Sequence, residues 1–317
     1  MNVPVGREDI AELFENCISK GKLAQAYILN APGGMGKKTV LKYILSLMLC
    51  DTHTSCGTCL SCKSIEAGAH PDVVNLMREE DRATLGVATI RDIKNEVYTR
   101  PVMADYKAVI VHEAHLATTE AQNAMLKMIE EPPEKVVFFL ICDTLAPILP
   151  TIISRSVVLN IRPLPNDKLK EITGADDFQV SVCGGNIGRL LDLMEDSDYS
   201  AVRDEVIDGF ASLVSDDPYV PYEIASRFDK IKEHKDDIFD IILAFTRDAY
   251  YKKKNIESAI INKDKMNYIN SFASKAKEDA LWRIMNMIID TRKEKGKNGN
   301  FTIAITILLL KCRKEMN

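Results

Sequence analysis

Residues 31–39 read Ala-Pro-Gly-Gly-Met-Gly-Lys-Lys-Thr, a run whose spacing suits a loop that cradles phosphate. In a working loop of this kind, glycines let backbone N–H groups wrap the phosphates. A lysine reaches the β- and γ-phosphates, and a Ser or Thr hydroxyl binds Mg²⁺. Gly36 and Lys37 are in place, but Ala31 stands where the first glycine belongs and Lys38 takes the position of the metal-binding hydroxyl; Gly33, Gly34 and Thr39 complete the degenerate loop as candidate nucleotide-binding residues. An ammonium offsets phosphate charge but cannot ligate Mg²⁺. A second defect lies in Lys107–His115, Lys-Ala-Val-Ile-Val-His-Glu-Ala-His. At the end of such an apolar strand an Asp helps to hold the metal. Here His112 occupies that place, and a neutral imidazole is a poor ligand for a hard cation that prefers oxygen. Glu113, a residue able to polarise a water, is kept. With two metal contacts missing from one site, hydrolysis is not expected. Two readings stay open for the loop: it binds ATP, ADP or another phosphate without turnover, or it is empty and kept for packing.

The second cluster with chemistry in it is made of cysteines. Of the eight in the chain, Cys50, Cys56, Cys59 and Cys62 fall within thirteen residues. Two overlapping C-x₂-C steps with a fourth cysteine six residues upstream suit a tetrahedral Cys₄ zinc site. Gly57 and the polar Thr54, Ser55, Thr58 and Ser61 supply the tight turn. Disulfides or unrelated thiols are the alternatives, and a reducing compartment disfavours the first. With all four positions taken by sulfur no place is left for water, so the zinc would be structural. Cys17, Cys142, Cys183 and Cys312 are isolated and read as core residues.

Positioning these residues requires a layered α/β frame. Ala26–Leu29, Val73–Leu76, Ala108–Val111, Val136–Cys142 and Val157–Ile161 are short apolar, β-branched runs that fit buried parallel strands. Amphipathic stretches lie between them. A helix runs from about Lys37 to Leu49. Ile90, Ile93 and Val97 share one face after a cap at Thr89, and Thr119 with Gln122 makes a capping box for a helix carrying Ala121, Met125, Met128 and Ile129. The pattern predicts a doubly wound parallel sheet. After Pro165 the spacing is helical throughout: Val202–Val214, Ile224–Phe228, Ile238–Tyr250, Ala280–Ile289 and a last helix from Phe301 to Cys312, with Lys293–Asn300 as a charged loop.

The 317 residues are too many for one ordinary domain. A content of 46% apolar and 27% charged residues is that of a soluble globular chain. A net charge of −5 argues against a strongly basic, free-standing nucleic-acid binder, though not against local contact with DNA inside an assembly. The start shows no signal-peptide pattern and the longest apolar run, 303–310, is too short to span a bilayer. No membrane association and a cytoplasmic location are therefore expected. The basic runs at Lys252–Lys254 and Arg292–Lys297 read as solvated faces.

Taken in order, the motifs resemble the bacterial clamp-loader AAA+ subunits of DNA polymerase III. The phosphate loop is followed by the cysteine knuckle, then by His70-Pro71-Asp72, Thr89-Ile-Arg-Asp-Ile93, Arg100-Pro101 and Tyr106-Lys107. Ala121–Pro133 is close to the family's AQNALLKTLEEPP. Leu149-Pro-Thr-Ile-Ile-Ser-Arg-Ser156 matches the stretch that ends in Ser-Arg-Cys, with Ser156 in place of the Cys. The likeness is strong over residues 8–162 and general beyond.

What the resemblance implies is an AAA+ P-loop domain over 1–162 with a zinc module at 50–62, a small helical lid over 163–200 and an all-α collar over 201–317. The gamma/tau motor subunit of this family has an intact loop and an Asp-Glu-Ala-His strand end. Lys38 and His112 make this chain similar instead to delta-prime, the non-hydrolysing stator. Gly185-Asn-Ile-Gly188 agrees, since Gly188 stands where the second sensor has an Arg and Arg189 comes one place late. Asp143 and Thr144, in the first-sensor region, carry no assignment. By resemblance Arg155 is an arginine finger that reaches the nucleotide of a neighbouring subunit, the alternative being an ordinary surface Arg. The implied partners are gamma/tau and delta subunits, the sliding clamp, and primed DNA met as part of the complex. Two other readings remain, a gamma/tau-type motor that hydrolyses ATP and a purely structural scaffold. No polymerase activity of its own is implied.

Overall fold

A computed structural model of the chain describes residues 2–79, 81–295 and 300–316. They form two compact units, one made of residues 1–172 with 185–189 and the other of 173–184 with 190–317.

The first unit is built on a five-stranded parallel sheet of β1 (Ala26–Asn30), β2 (Val73–Leu76), β3 (Lys107–Val111), β4 (Val136–Cys142) and β5 (Val157–Asn160), in the order β2-β3-β4-β1-β5. Every residue of β3 and β4 is buried, as expected for strands covered on both faces. Seven helices complete the unit before the chain leaves the sheet: α1 (Glu8–Ser19), α2 (Lys37–Met48), α3 (Leu60–Glu66), α4 (Val87–Asp92), α5 (Lys94–Val97), α6 (Thr119–Glu130) and α7 (Pro150–Ile153). One core packs Phe14, Tyr27, Ile44 and Phe139 on one side of the sheet. A second packs Ile28, Met125, Phe138 and Ile152 on the other. This is the doubly wound α/β architecture that the strand pattern predicts. The chain order reverses around β1, whose neighbours are β4 and β5. The carboxyl ends of β1, β3 and β4 therefore bring the phosphate loop, His112 and Asp143 to one edge, where ligands of such sheets bind.

Two caps differ from the expected ones. The residue that caps α6 is Thr118, whose hydroxyl accepts from Ala121 N–H at 3.2 Å. Gln122 is instead buried, donating to Ala117 O and Pro147 O and accepting from Leu149 N–H. Its amide ties α6 to the segment before α7, a tertiary role that a local capping rule does not see. Thr89 lies inside α4, which starts after Gly86.

The second unit is helical, as the apolar spacing predicts. Beyond α8 (Asn166–Thr173), which belongs to the first unit but for its last residue, come α9 (Asp177–Cys183), α10 (Ile187–Glu195), whose residues 187–189 belong to the first unit, α11 (Tyr199–Ala211), α12 (Val220–Asp229), α13 (Lys235–Lys253), α14 (Met266–Lys275), α15 (Glu278–Lys295) and α16 (Phe301–Met316). Its core holds Phe210, Phe245 and Phe272, with ring centroids 5.4 and 5.3 Å apart for the pairs that Phe272 makes. The first residues of the stretch expected as a charged loop, Lys293–Lys295, are helical, because α15 continues to Lys295; residues 296–299 lie outside the described residues. No helix among the described residues is long and apolar enough to cross a membrane.

Candidate functional site

The loop between β1 and α2 has the backbone of a phosphate cradle. Gly34 and Gly36 both take positive φ, at 77° and 82°, and Gly36 leads directly into α2. A loop that turns this way aims successive N–H groups at one point, and the start of a helix adds its dipole. Lys37 is turned back onto the loop. Its ammonium donates to the carbonyls of Ala31 and Pro32 and forms an ion pair with Asp143 Oδ1 at 2.6 Å. The Lys37 side chain is only 10% exposed, whereas that of Asp143 is 49% exposed. Asp143 N–H donates in turn to His115 Nδ1 at 3.3 Å.

A further segment sits against the loop. Asn186 Nδ2 donates to Gly33 O at 2.8 Å, and its Oδ1 accepts from Arg189 N–H at 3.0 Å. Gly188 N–H donates to Gly34 O at 2.8 Å, so close that a Cβ on Gly188 would stand 2.7 Å from Gly34 Cα. No side chain fits at residue 188 in this arrangement.

His112, at the end of β3, shares its Nε2 with Asn75 Oδ1 at 2.9 Å. Burial, and then the nearby Lys38 ammonium, hold its pKa below the ordinary imidazole range despite Glu113. Burial and the nearby exposed Lys38 ammonium thus favour the neutral imidazole. Glu113 turns the chain at φ 47° and pairs with Arg78 at 2.8 Å. The Glu113 carboxylate is thus engaged by a guanidinium.

Arg155 follows the one-turn helix α7, whose start is fixed by Pro150. Its Nε lies 3.1 Å from Glu130 Oε1, its Nη1 donates to Thr151 O at 3.2 Å, and its side chain remains about half exposed. Glu130 belongs to the last turn of α6, so two helices hold the guanidinium at the surface of the first unit.

The four cysteines come together between α2 and α3. Their Sγ atoms all lie within 4.8 Å of one another. A tetrahedral Zn–S₄ centre with bonds of about 2.3 Å needs sulfurs roughly 3.8 Å apart, and Cys59 and Cys50 are already at 3.9 Å. His53, Ser55 and Gly57 take positive φ to make the turn. Backbone N–H groups of Cys59 and Cys62 donate to the sulfurs of Cys56 and Cys59 at 3.4 Å, and Thr58 Oγ1 donates to Cys56 at 3.5 Å. Burial opposes ionisation of Cys50, but hydrogen bonds from Thr52 and from backbone N–H groups overcome it and bring the thiol down to about 5. Thr58 and the N–H of Cys59 bring Cys56 down to about 7. Burial pushes Cys62 up to about 12. Such a set, partly ionised and wanting a counter-charge, has the chemistry of a metal-binding cluster and can hold a metal ion. Of the other cysteines, Cys142, Cys183 and Cys312 are buried and Cys17 is half-buried.

Three residues of the basic runs pair with carboxylates. Lys252 pairs with Glu257, Lys254 with Glu278 at 2.5 Å, and Arg292 with Asp240; the end of the second run, from residue 296, lies outside the described residues.

Profiles of known families match both units. One described as "DNA polymerase III, delta subunit" covers residues 6–165, just over half of the chain, and one described as the C-terminal part of that subunit covers 198–314. The chain belongs to the DNA polymerase III delta subunit family. Curated relatives include DNA polymerase III subunit tau of Bacillus subtilis, 31% identical over 56% of this chain and 32% of its own length. Another is subunit delta' of Escherichia coli, 30% identical over 59% of this chain and 60% of its own. The matched region thus spans from about a third to three-fifths of these relatives. Among solved structures, a DNA polymerase III gamma subunit-related protein from Thermotoga maritima is 18% identical, covers 96% of this chain and 99% of its own, and aligns with a TM-score of 0.47.

Within this delta-family chain the structure brings Gly33, Gly34, Gly36, Lys37, Lys38 and Glu113 to one edge of the sheet. Arg155 and the cysteines lie in the same unit on other elements. Sequence reasoning missed Asp143 and Asn186 as loop partners. The cue for Asp143 was its place just after β4, at the carboxyl end of the strand next to β1.

Proposed function

We propose that this chain is the delta-prime-type, non-hydrolysing subunit of a bacterial DNA polymerase III clamp loader. It would act as a stator that lends Arg155 to the ATP site of an adjacent gamma/tau subunit. The observation that carries the reading is the combination of a phosphate loop without metal ligands and an arginine offered to solvent. Lys38 and His112 leave Mg²⁺ without two of its contacts, and the largely buried Lys37 is paired with Asp143. These features weigh against the motor reading. The guanidinium of Arg155, braced by Glu130 and Thr151 O, supports the finger reading, because a preorganised fork loses less entropy when it meets phosphate oxygens.

In this reading residues 1–162 form the AAA+ domain, 163–200 the lid and 201–317 the collar that joins gamma/tau and delta subunits into a ring. The assembly places a sliding clamp on primed DNA in the cytoplasm. The metal of the cysteine cluster is Zn²⁺ and its role is structural, since four thiolates saturate a tetrahedral ion.

The test is the DNA- and clamp-stimulated ATPase of the reconstituted loader with Arg155→Ala, after both forms are seen to assemble equally. An arginine finger contributes on the order of 10³-fold or more at the site it serves, so turnover at the neighbouring site should collapse. An unchanged rate would reduce Arg155 to a surface residue and leave the chain a scaffold.

A further inference from the structure

The ion pair inside the phosphate loop has a consequence for what the loop can bind. A lysine of this kind serves anionic oxygens of a bound phosphate. In this chain an anionic oxygen is already there, because Asp143 Oδ1 sits 2.6 Å from Nζ. The other oxygen of the same carboxylate faces the loop, 3.9 Å from where a Cβ on Gly33 would be. The carboxylate therefore lies at the mouth of the cradle and not off to one side. It is anchored by its own backbone through His115. Asn186 and Gly188 hold the carbonyls of Gly33 and Gly34 on the other flank.

We infer that Asp143 is a built-in substitute for phosphate, the residue that sets the loop's specificity by excluding nucleotide. This deepens the non-hydrolysing reading above and rests on it. Lys38 and His112, standing where metal ligands belong, would account for a lack of hydrolysis but not for a lack of binding, since glycines, a helix start and two lysines can still hold a phosphate without metal. Asp143 supplies the second step. An incoming pyrophosphate or nucleotide must either displace the carboxylate from Lys37 or rest against it. Two anions a few ångströms apart in a partly desolvated site repel each other strongly. With the carboxylate gone, Lys37 is released and Lys38, the exposed neighbour, adds a second cation.

The experiment is a binding titration of the full-length chain by calorimetry, in magnesium-free buffer without chelator, using inorganic pyrophosphate and ADP as probes. Four proteins are compared: wild type, Asp143→Asn, Lys37→Ala and the double variant. Asp143→Thr serves as a second neutral replacement should the Asn variant melt early. The expected result is that Asp143→Asn binds both probes about tenfold tighter or more than wild type. In the Lys37→Ala background the same change should give almost no gain, a coupling that a general loss of negative charge would not show. Equal affinity in wild type and Asp143→Asn overturns the inference, whether both bind or neither does. So does a gain that persists without Lys37. None of these outcomes bears on Arg155, whose role is read in the assembled loader.

Discussion

A single side chain, Asp72, fixes the loop that leads into β3. It is fully buried, and its carboxylate accepts from the backbone N–H groups of Val102, Met103 and Ala104 at 2.6, 2.8 and 2.8 Å. Burial alone would raise its pKa, but the three donors outweigh burial and hold the carboxyl below its usual range. A depressed folded-state value stabilises the native protein above the unfolded pKa of about 4. That stability is lost as pH falls through the lower folded value. Asp72→Asn keeps the shape but removes the charge and one acceptor, and should cost about 2–4 kcal/mol at pH 7. Denaturant titrations of both proteins at pH 7 and pH 3 check this: the gap should be wider at the first than at the second. A gap independent of pH would mean that packing, not charge, holds the loop. At this scale the contiguous features were legible. Lys37, Lys38 and the glycines stand in one nine-residue run, and His112 ends an apolar strand. Asp143 was not legible, because its partner lies 106 positions away and only the pairing of β1 with β4 brings the two together.

Elements were legible to the extent that their signal is local. Each of the five strands matches its predicted apolar run to within one residue at either end, and the signal is cleanest in β3 and β4, which are buried along their whole length. The caps were displaced where tertiary contacts claimed the side chain, as with Gln122. The cysteine knuckle is an element of the same local kind. Its turn depends on residues at positive φ and on N–H···S bonds, and it sits between α2 and the short α3, for which Cys59 is the cap. A seven-residue helix has little stability of its own, so the metal should be what holds it. Cys59→Ser removes a ligand and leaves a hydroxyl of similar size. We expect the purified wild-type chain to carry about one zinc by elemental analysis, and the variant to lose it. The variant should also unfold with an extra early transition, because metal-binding free energy is folding free energy for such a module. Full stability without zinc would show that the thiols pack unaided.

At the scale of the whole molecule, the question is what the helical unit is for if its own core is complete. Helix α16 buries Phe301, Ile305, Leu308, Leu309 and Cys312 on one side. On the opposite side Ile303, Ile307 and Leu310 are 60%, 47% and 37% exposed. At 100° per residue these three share one stripe, so the helix is apolar on two faces, only one of which its own unit uses. An exposed apolar stripe on a terminal helix is the kind of surface that subunits bury against one another. In the collar reading it faces a gamma/tau or delta subunit. Ile307→Glu places a charge at the centre of the stripe without touching the buried side, so the isolated chain should keep its melting temperature to within a few degrees. Its affinity for the other loader subunits should fall by at least about tenfold, from the desolvation of an unpaired carboxylate. Size-exclusion chromatography of the mixed subunits, beside a melt of the variant alone, reads both. An intact ring containing Ile307→Glu would put the collar contact on another face of the unit. A variant that melts early on its own would mean that the stripe belongs to the fold.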